Sequence, residues 1–198
     1  MPFFEIFVIL IIHFRTHVLT IKEVFPLNYT LPDNSKIAAI QPEYTAIGDR
    51  TLLFLTDGTL VPINLKVATI IRRLANRQTI DLCSLKNKTA KITKCTLWHP
   101  LVLAPDLVLV PLKIRKPKIS GDVTSGYINF HHIVTVQKTV NDTCIKLTGN
   151  HEIHSLWKTT TVHKHMQRAQ LAFLAMNKQN PMLESLAKYL LMSNIVNA

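Results

Sequence analysis

Apolar and polar positions change period several times along the 198-residue chain. Residues 51–55 and 59–63 are short β-prone runs separated by Asp57-Gly58. An Asp-Gly pair between two such runs predicts a hairpin, because both residues tolerate the positive φ of a tight turn. Residues 29–40 carry a shorter strand-like pattern, broken at Pro32-Asp33-Asn34. The period then lengthens. Val67, Ile70, Ile71 and Leu74 recur at i, i+3, i+4 and i+7, which predicts a helix over residues 66–78 with one buried side. Arg72, Arg73 and Arg77 lie off that stripe and are expected to face outward.

Residues 80–136 read as mostly β, punctuated by prolines. Residues 90–97 read as a strand, and 101–103 and 107–112 as short strands around Pro105. Residues 113–120 form a polar, basic connection, and 127–136 read as one longer strand rich in Ile, Phe and Val. Gly149-Asn150 predicts a second hairpin between residues 142–147 and 153–157. Val162, Met166, Ala169, Phe173 and Met176 then recur at helical spacing, and Pro181 opens a second helix carrying Met182, Leu186 and Tyr189. An amphipathic stripe of this kind ordinarily buries one face in its own domain, with a dimer or adaptor surface as the alternative. The expected fold is α+β: a single, mostly antiparallel β domain with one basic helix and C-terminal helices. Its expected limits are residues 26–178, with a helical tail over 179–198 and an apolar extension over 1–25.

Composition narrows this picture. Hydrophobic residues make up 47% and charged residues 18%, enough for a core without disulfide or metal staples and too apolar for a disordered chain. Five Gly and ten Pro exclude collagen-like and linker compositions. The apolar run at residues 6–12 is far shorter than the roughly 20 residues of a spanning helix. It also lacks the preceding basic residues and the cleavage site of a secretory signal. It reads as a buried strand, or as an extension from an upstream start codon that is not used. Cys83, Cys95 and Cys144 are odd in number and form no Cys-x-x-Cys pair, which points to free thiols in a cytoplasmic protein.

Charge changes the picture most. The net charge is +11, and it is local. Residues 61–120 hold twelve basic residues (Lys66, Arg72, Arg73, Arg77, Lys86, Lys88, Lys91, Lys94, Lys113, Arg115, Lys116 and Lys118) against Asp81 and Asp106, a net of +10. A solvated surface usually mixes signs, so a one-sign segment points to a polyanionic partner. Arg115-Lys116-Pro117-Lys118 is a basic loop stiffened by proline, a chemistry suited to the negative potential of a narrow minor groove.

Other constellations do not assemble. His151-Glu152-Ile153-His154 lacks the i, i+4 helical spacing of a zincin, and in a strand its two histidines point to opposite faces. His131-His132 and the pair His163 and His165 read as packing or surface residues, and no metal site or cofactor is expected. Cys83 beside Ser84 has no identifiable general base, and there is no phosphate loop or nucleophile elbow. The chain does not read as an enzyme.

Over residues 29–178 the order of features resembles the ComK family of competence transcription factors. Residues 29–40 with Pro42 and Tyr44 are similar to the family's opening strand and its Pro-x-Tyr or Pro-x-x element. The Asp57-Gly58 hairpin and the helix through Ile70, Ile71 and Arg72 follow in the family's order. Cys83-Ser84-Leu85-Lys86-Asn87-Lys88 falls at its Gly-Ser-Ser-Tyr-x-Gly-Arg, keeping only the serine and a terminal basic residue. His99-Pro100-Leu101-Val102-Leu103 is similar to its Lys-x-Pro-Ile segment, and Val110-Pro111-Leu112 to its Phe-Pro-Thr. Arg115-Lys116-Pro117 occupies a loop where a basic residue before proline is usual. Tyr127-Ile128-Asn129-Phe130-His131-His132-Ile133 resembles Trp-Ile-Ser-x-x-His-Ile and is the most specific stretch. Gly149-Asn150 stands at the family's Asn-Gly, and His165-Met166-Gln167-Arg168 resembles its Gln-x-x-Arg helix, although the glutamine at 165 is replaced.

The resemblance implies an activator of DNA-uptake genes that binds AT-rich boxes through the minor groove. It implies dimers or higher assemblies on double-stranded DNA, an adaptor with a Clp protease, RNA polymerase as a further partner, and no membrane. Arg72, Arg73, Arg77, Lys86, Lys88, Lys113, Arg115, Lys116 and Lys118 are the expected DNA contacts, with Arg115 and Lys116 in the groove and most of the others on phosphates. For Arg168 a helix-surface or salt-bridge role is expected instead. The alternatives are a membrane-surface basic protein, an RNA-binding module and an inactive remnant of the family. Trp98 is the only aromatic residue between Lys66 and Lys118, which argues against base stacking on RNA.

Overall fold

The computed structural model describes residues 30–46 and 48–177. The apolar run at 6–12, the helix expected from Pro181 and the start of the strand expected from Tyr29 lie outside the described residues. A one-turn 3-10 helix at Asn34–Lys36 leads into β1 (Ile37–Thr45), β2 (Gly48–Leu55) and β3 (Leu60–Ile63). Helices α1 (Val67–Arg77) and α2 (Leu82–Thr93) follow, then β4 (Leu101–Ala104), β5 (Leu107–Lys113) and β6 (Ser125–Asn129). A second 3-10 turn, Phe130–His132, leads to β7 (Ile133–Lys138), β8 (Thr143–Leu147), β9 (His151–Ser155) and α3 (Thr159–Met176). One sheet has the order β3-β2-β1-β6-β5-β4 and the other β7-β8-β9, with every pairing antiparallel. The expected α+β class is what the protein has.

Each face of the larger sheet has its own cover. Ala39, Phe54, Val110 and Ile128 lie on one face and share a core with Ile145, Leu147 and Ile153 of the smaller sheet and Val162, Ala169 and Ala172 of α3. Met166, Phe173 and Met176 pack against the same core, so the α3 stripe faces inward as expected. On the opposite face α1 packs on β1 and β2. There Ile40 and Leu53 are fully buried, as are Ile70 and Leu74 of the helix. Burying a side chain of this size contributes about 1.5–3 kcal/mol, which is why the α1 stripe is held against the sheet. Helix α2 packs against β4 and α3.

Both predicted hairpins form, and they dock on each other. A Cβ built on Gly149 would lie 2.8 Å from Gly58 N and from Leu55 O, so only glycine allows the two turns to approach backbone to backbone. His151 Nε2 lies 2.7 Å from Leu55 O, and its ring meets Phe54 edge-on. At the far end of β9, Leu156 N donates to Lys113 O at 2.8 Å and Ser155 Oγ donates to the same oxygen at 3.2 Å. β9 thus runs from the end of β2 to the end of β5 and ties the sheets together at both.

Two expectations are corrected. Residues 80–97 are not mainly extended: α2 occupies Leu82–Thr93, so the basic segment carries two helices rather than one. Asp81 caps α2, its Oδ1 accepting from Ser84 N at 2.7 Å. Residues 127–136 are not one strand. The chain breaks at Asn129 and continues in the other sheet, with His131 and His132 on the 3-10 turn rather than in a strand. The cause is the fully buried Asn129 side chain. Its Nδ2 donates to Ile37 O at 3.1 Å and Asp106 O at 2.9 Å, while Oδ1 accepts from Val108 N at 3.3 Å and His131 N at 3.4 Å.

Replacing Asn129 with Ala removes the donor to the buried Ile37 carbonyl and the acceptor of the buried Val108 N–H and should lower stability by about 1–3 kcal/mol, read by urea denaturation. A second test concerns acid. His165 is buried, stacks on Trp157 at 4.5 Å, and its pKa is lowered from 6.5 to about 4, first by burial and then by Arg168 and Lys164. Its folded pKa lies below the unfolded one, so the unfolded chain binds the extra proton first. Stability should be complete at pH 7 and should fall as pH drops from 6.5 to about 4. In His165→Phe that part of the acid dependence should disappear from the denaturation midpoints.

Candidate nucleic-acid interface

The basic segment is distributed over α1, α2 and the loop between β5 and β6. On α1 the buried residues Val67, Ile70, Ile71 and Leu74 take one side, which turns Arg72 and Arg73 to solvent. Arg77, at the last turn, is also exposed but has partners. Its guanidinium donates to Leu31 O at 3.2 Å, to Pro32 O at 2.8 Å and to Asn34 Oδ1, so it tethers the segment before β1. On α2, Leu85 and Thr89 face inward one turn apart, and Lys86, Lys88 and Lys91 are exposed. Helix α2 contains no acid, and Asp81 is held by its capping bond.

The β5–β6 loop is organised around Tyr44 and Asp122. Asp122 Oδ2 accepts from Tyr44 Oη at 2.5 Å, Lys118 N at 2.9 Å and Ile119 N at 3.0 Å. The tyrosine hydrogen bond is the main cause that lowers the Asp122 pKa, while loss of solvation and the same bond raise that of Tyr44. Lys118 Nζ lies 4.3 Å from the centroid of the Tyr44 ring, and Lys116 beside it is exposed. The loop therefore presents Lys116 and Lys118 on a backbone fixed from beneath.

Arg115 is turned the other way. Its Nη2 donates to Asp49 Oδ2 at 2.6 Å, its Nε donates to Val123 O at 2.7 Å, and Cζ lies 3.6 Å from the Tyr44 centroid. Its side chain is 11% exposed. The guanidinium is already ion-paired, stacked and mostly covered, which stands against Arg115 as the residue expected in a minor groove. Lys113 is half-buried at the end of β5, where its carbonyl joins β9. Trp98 is half-buried and meets Trp157 edge-on at 4.8 Å, so it is not a free platform for base stacking.

The remaining candidates are placed as follows. His151 is buried and His154 exposed, on opposite faces of β9. His132 Nε2 lies 2.9 Å from Ser35 O, and burial is the main cause that lowers its pKa. His131 meets Phe130 and Phe173 edge-on. Cys83, Cys95 and Cys144 are free, as expected. Arg168 is half-buried on α3 and forms no ion pair among the described residues. The Asp49 and Tyr44 partners of Arg115 were missed from sequence; they come from another hairpin, and no local pattern announces them. No helix among the described residues is long and apolar enough to cross a membrane.

Arg115→Lys keeps the charge but loses the planar fork that reaches both Asp49 and Val123. It should lower stability by about 1–2 kcal/mol in urea denaturation. Searches against protein-family models, curated proteins and solved structures find no match for this chain.

Proposed function

We propose that the chain is a DNA-binding regulator that holds duplex DNA with the outward cations of α1, α2 and the β5–β6 loop. One observation carries this reading. Of the twelve basic residues between Val61 and Ser120, Arg115 alone forms an ion pair with an acid among the described residues. The others gain nothing from a carboxylate in the fold, and a row of phosphates would supply the missing anions. Arg72, Arg73, Lys86 and Lys88 are assigned to phosphates. Lys116 and Lys118, held on the braced loop, are assigned to the minor groove of AT-rich boxes, where the potential is most negative. Arg77, Lys113 and Arg115 serve the fold first.

The resemblance to competence activators supports this assignment and extends it to activation of DNA-uptake genes by dimers on paired boxes. A cytoplasmic setting fits both that role and the three free thiols.

The test is a gel-shift series across salt on A-run/T-run and GC-rich duplexes. With the four assigned phosphates neutralised per protomer, the slope of log affinity against log salt should be roughly −4. Arg72→Ala with Arg73→Ala should weaken both duplexes alike and flatten the slope by about 2. Lys116→Ala with Lys118→Ala should narrow the difference between the duplexes. Absence of any shift at low salt would overturn DNA binding, and equal affinity for both duplexes would overturn the AT-rich preference.

A further inference from the structure

The register of β8 and β9 gathers a donor set that no single stretch of the chain displays. Cys144 stands directly opposite His154, and Glu152 stands opposite Lys146, two residues further along each strand. Residues two apart share a face, so all four project from the side of the sheet opposite Ile145, Leu147 and Ile153. One ligand atom from each of Cys144, Glu152 and His154 lies within 4.8 Å of the other two. Glu152 and His154 are exposed, and Cys144 is buried beneath them. Asp142 Oδ2 lies 3.0 Å from His154 Nδ1, which fixes the ring and leaves Nε2 as its free nitrogen. Lys146 Nζ holds Glu152 Oε1 at 3.1 Å.

We propose that Cys144 Sγ, Glu152 and His154 Nε2 form a Zn2+ site on the outer face of the β8–β9 hairpin, with Asp142 orienting the histidine. A thiolate, an imidazole and a carboxylate form a borderline-soft set that suits Zn2+ and disfavours Mg2+ or Ca2+, which take oxygen ligands. Three protein donors leave a fourth, tetrahedral position to water. Bonds of about 2.0–2.3 Å in a tetrahedral site put ligand atoms roughly 3.3–3.8 Å apart, inside the 4.8 Å that bounds them here, and the Glu152 and His154 side chains are exposed. Binding converts the Cys144 thiol to thiolate and releases its proton to solvent. The metal would bridge neighbouring strands and staple the hairpin whose turn docks on Gly58.

Co2+ is the probe, added to the full-length chain in a Cys83→Ser background that removes the exposed thiol. The expected result is a thiolate-to-cobalt charge-transfer band with tetrahedral ligand-field bands, all displaced by one equivalent of Zn2+. Cys144→Ser and His154→Ala should each abolish the charge-transfer band. Glu152→Gln should weaken binding at least about 10-fold, and Asp142→Asn about 10- to 100-fold. Circular dichroism checks that each variant is folded. Should Cys144→Ser unfold, the exposed Glu152→Gln still decides. Absence of the band in the Cys83→Ser protein, its survival in folded Cys144→Ser, or unchanged affinity in Glu152→Gln would each overturn the site.

Discussion

The fold turns on one buried side chain. Asn129 has two donors and one acceptor oxygen, and it uses them on the start of β1, the β4–β5 turn, the β5 backbone and the turn after β6. A buried amide costs free energy unless it is satisfied, so the surrounding backbone has one arrangement that meets its needs. That arrangement ends β6, starts the 3-10 turn and sends the chain into the second sheet. An apolar residue at position 129 would leave these four backbone groups without their side-chain partner.

The same logic operates at the other end of the larger sheet. Tyr44 and Asp122 hold the β5–β6 loop through hydrogen bonds to its backbone, and Asp49 with the Tyr44 ring holds Arg115. The loop's most basic-looking residue is therefore part of its support. Lys116 and Lys118 are exposed, the latter with its ammonium beside the Tyr44 ring, while Arg115 is mostly covered. Charge read along the chain counts these residues as equal; charge read in the fold separates structural cations from free ones. The proposed DNA contacts rest on that distinction.

Local sequence carried the parts of the fold that depend on neighbouring residues. The hairpins at Asp57-Gly58 and Gly149-Asn150, the α1 stripe and the α3 stripe follow from turn chemistry and period. Helix α2 was hidden because β-branched Thr89, Ile92 and Thr93 look extended and its buried residues Leu85 and Thr89 make a thin stripe. The available signal was Asp81 directly ahead of Leu82, Leu85, Thr89 and Ile92 at i, i+3, i+7 and i+10, since a capping aspartate before a helical period marks a helix start. The break at Asn129 had no such signal, because three of its four partners lie 21 or more residues away along the chain.

The sequence by itself determined the α+β class, the two tight turns, the inward stripes and a central segment of net charge +10. Those features depend on local periodicity, glycine's freedom and composition. Only the tertiary structure decided which cations are free, where residues 127–136 change sheets, and that Cys144, Glu152 and His154 meet on one face. Each of these depends on strand register and long-range pairing, which bring together groups from distant parts of the chain or from facing strands. A spacing rule sees only what lies a few residues away.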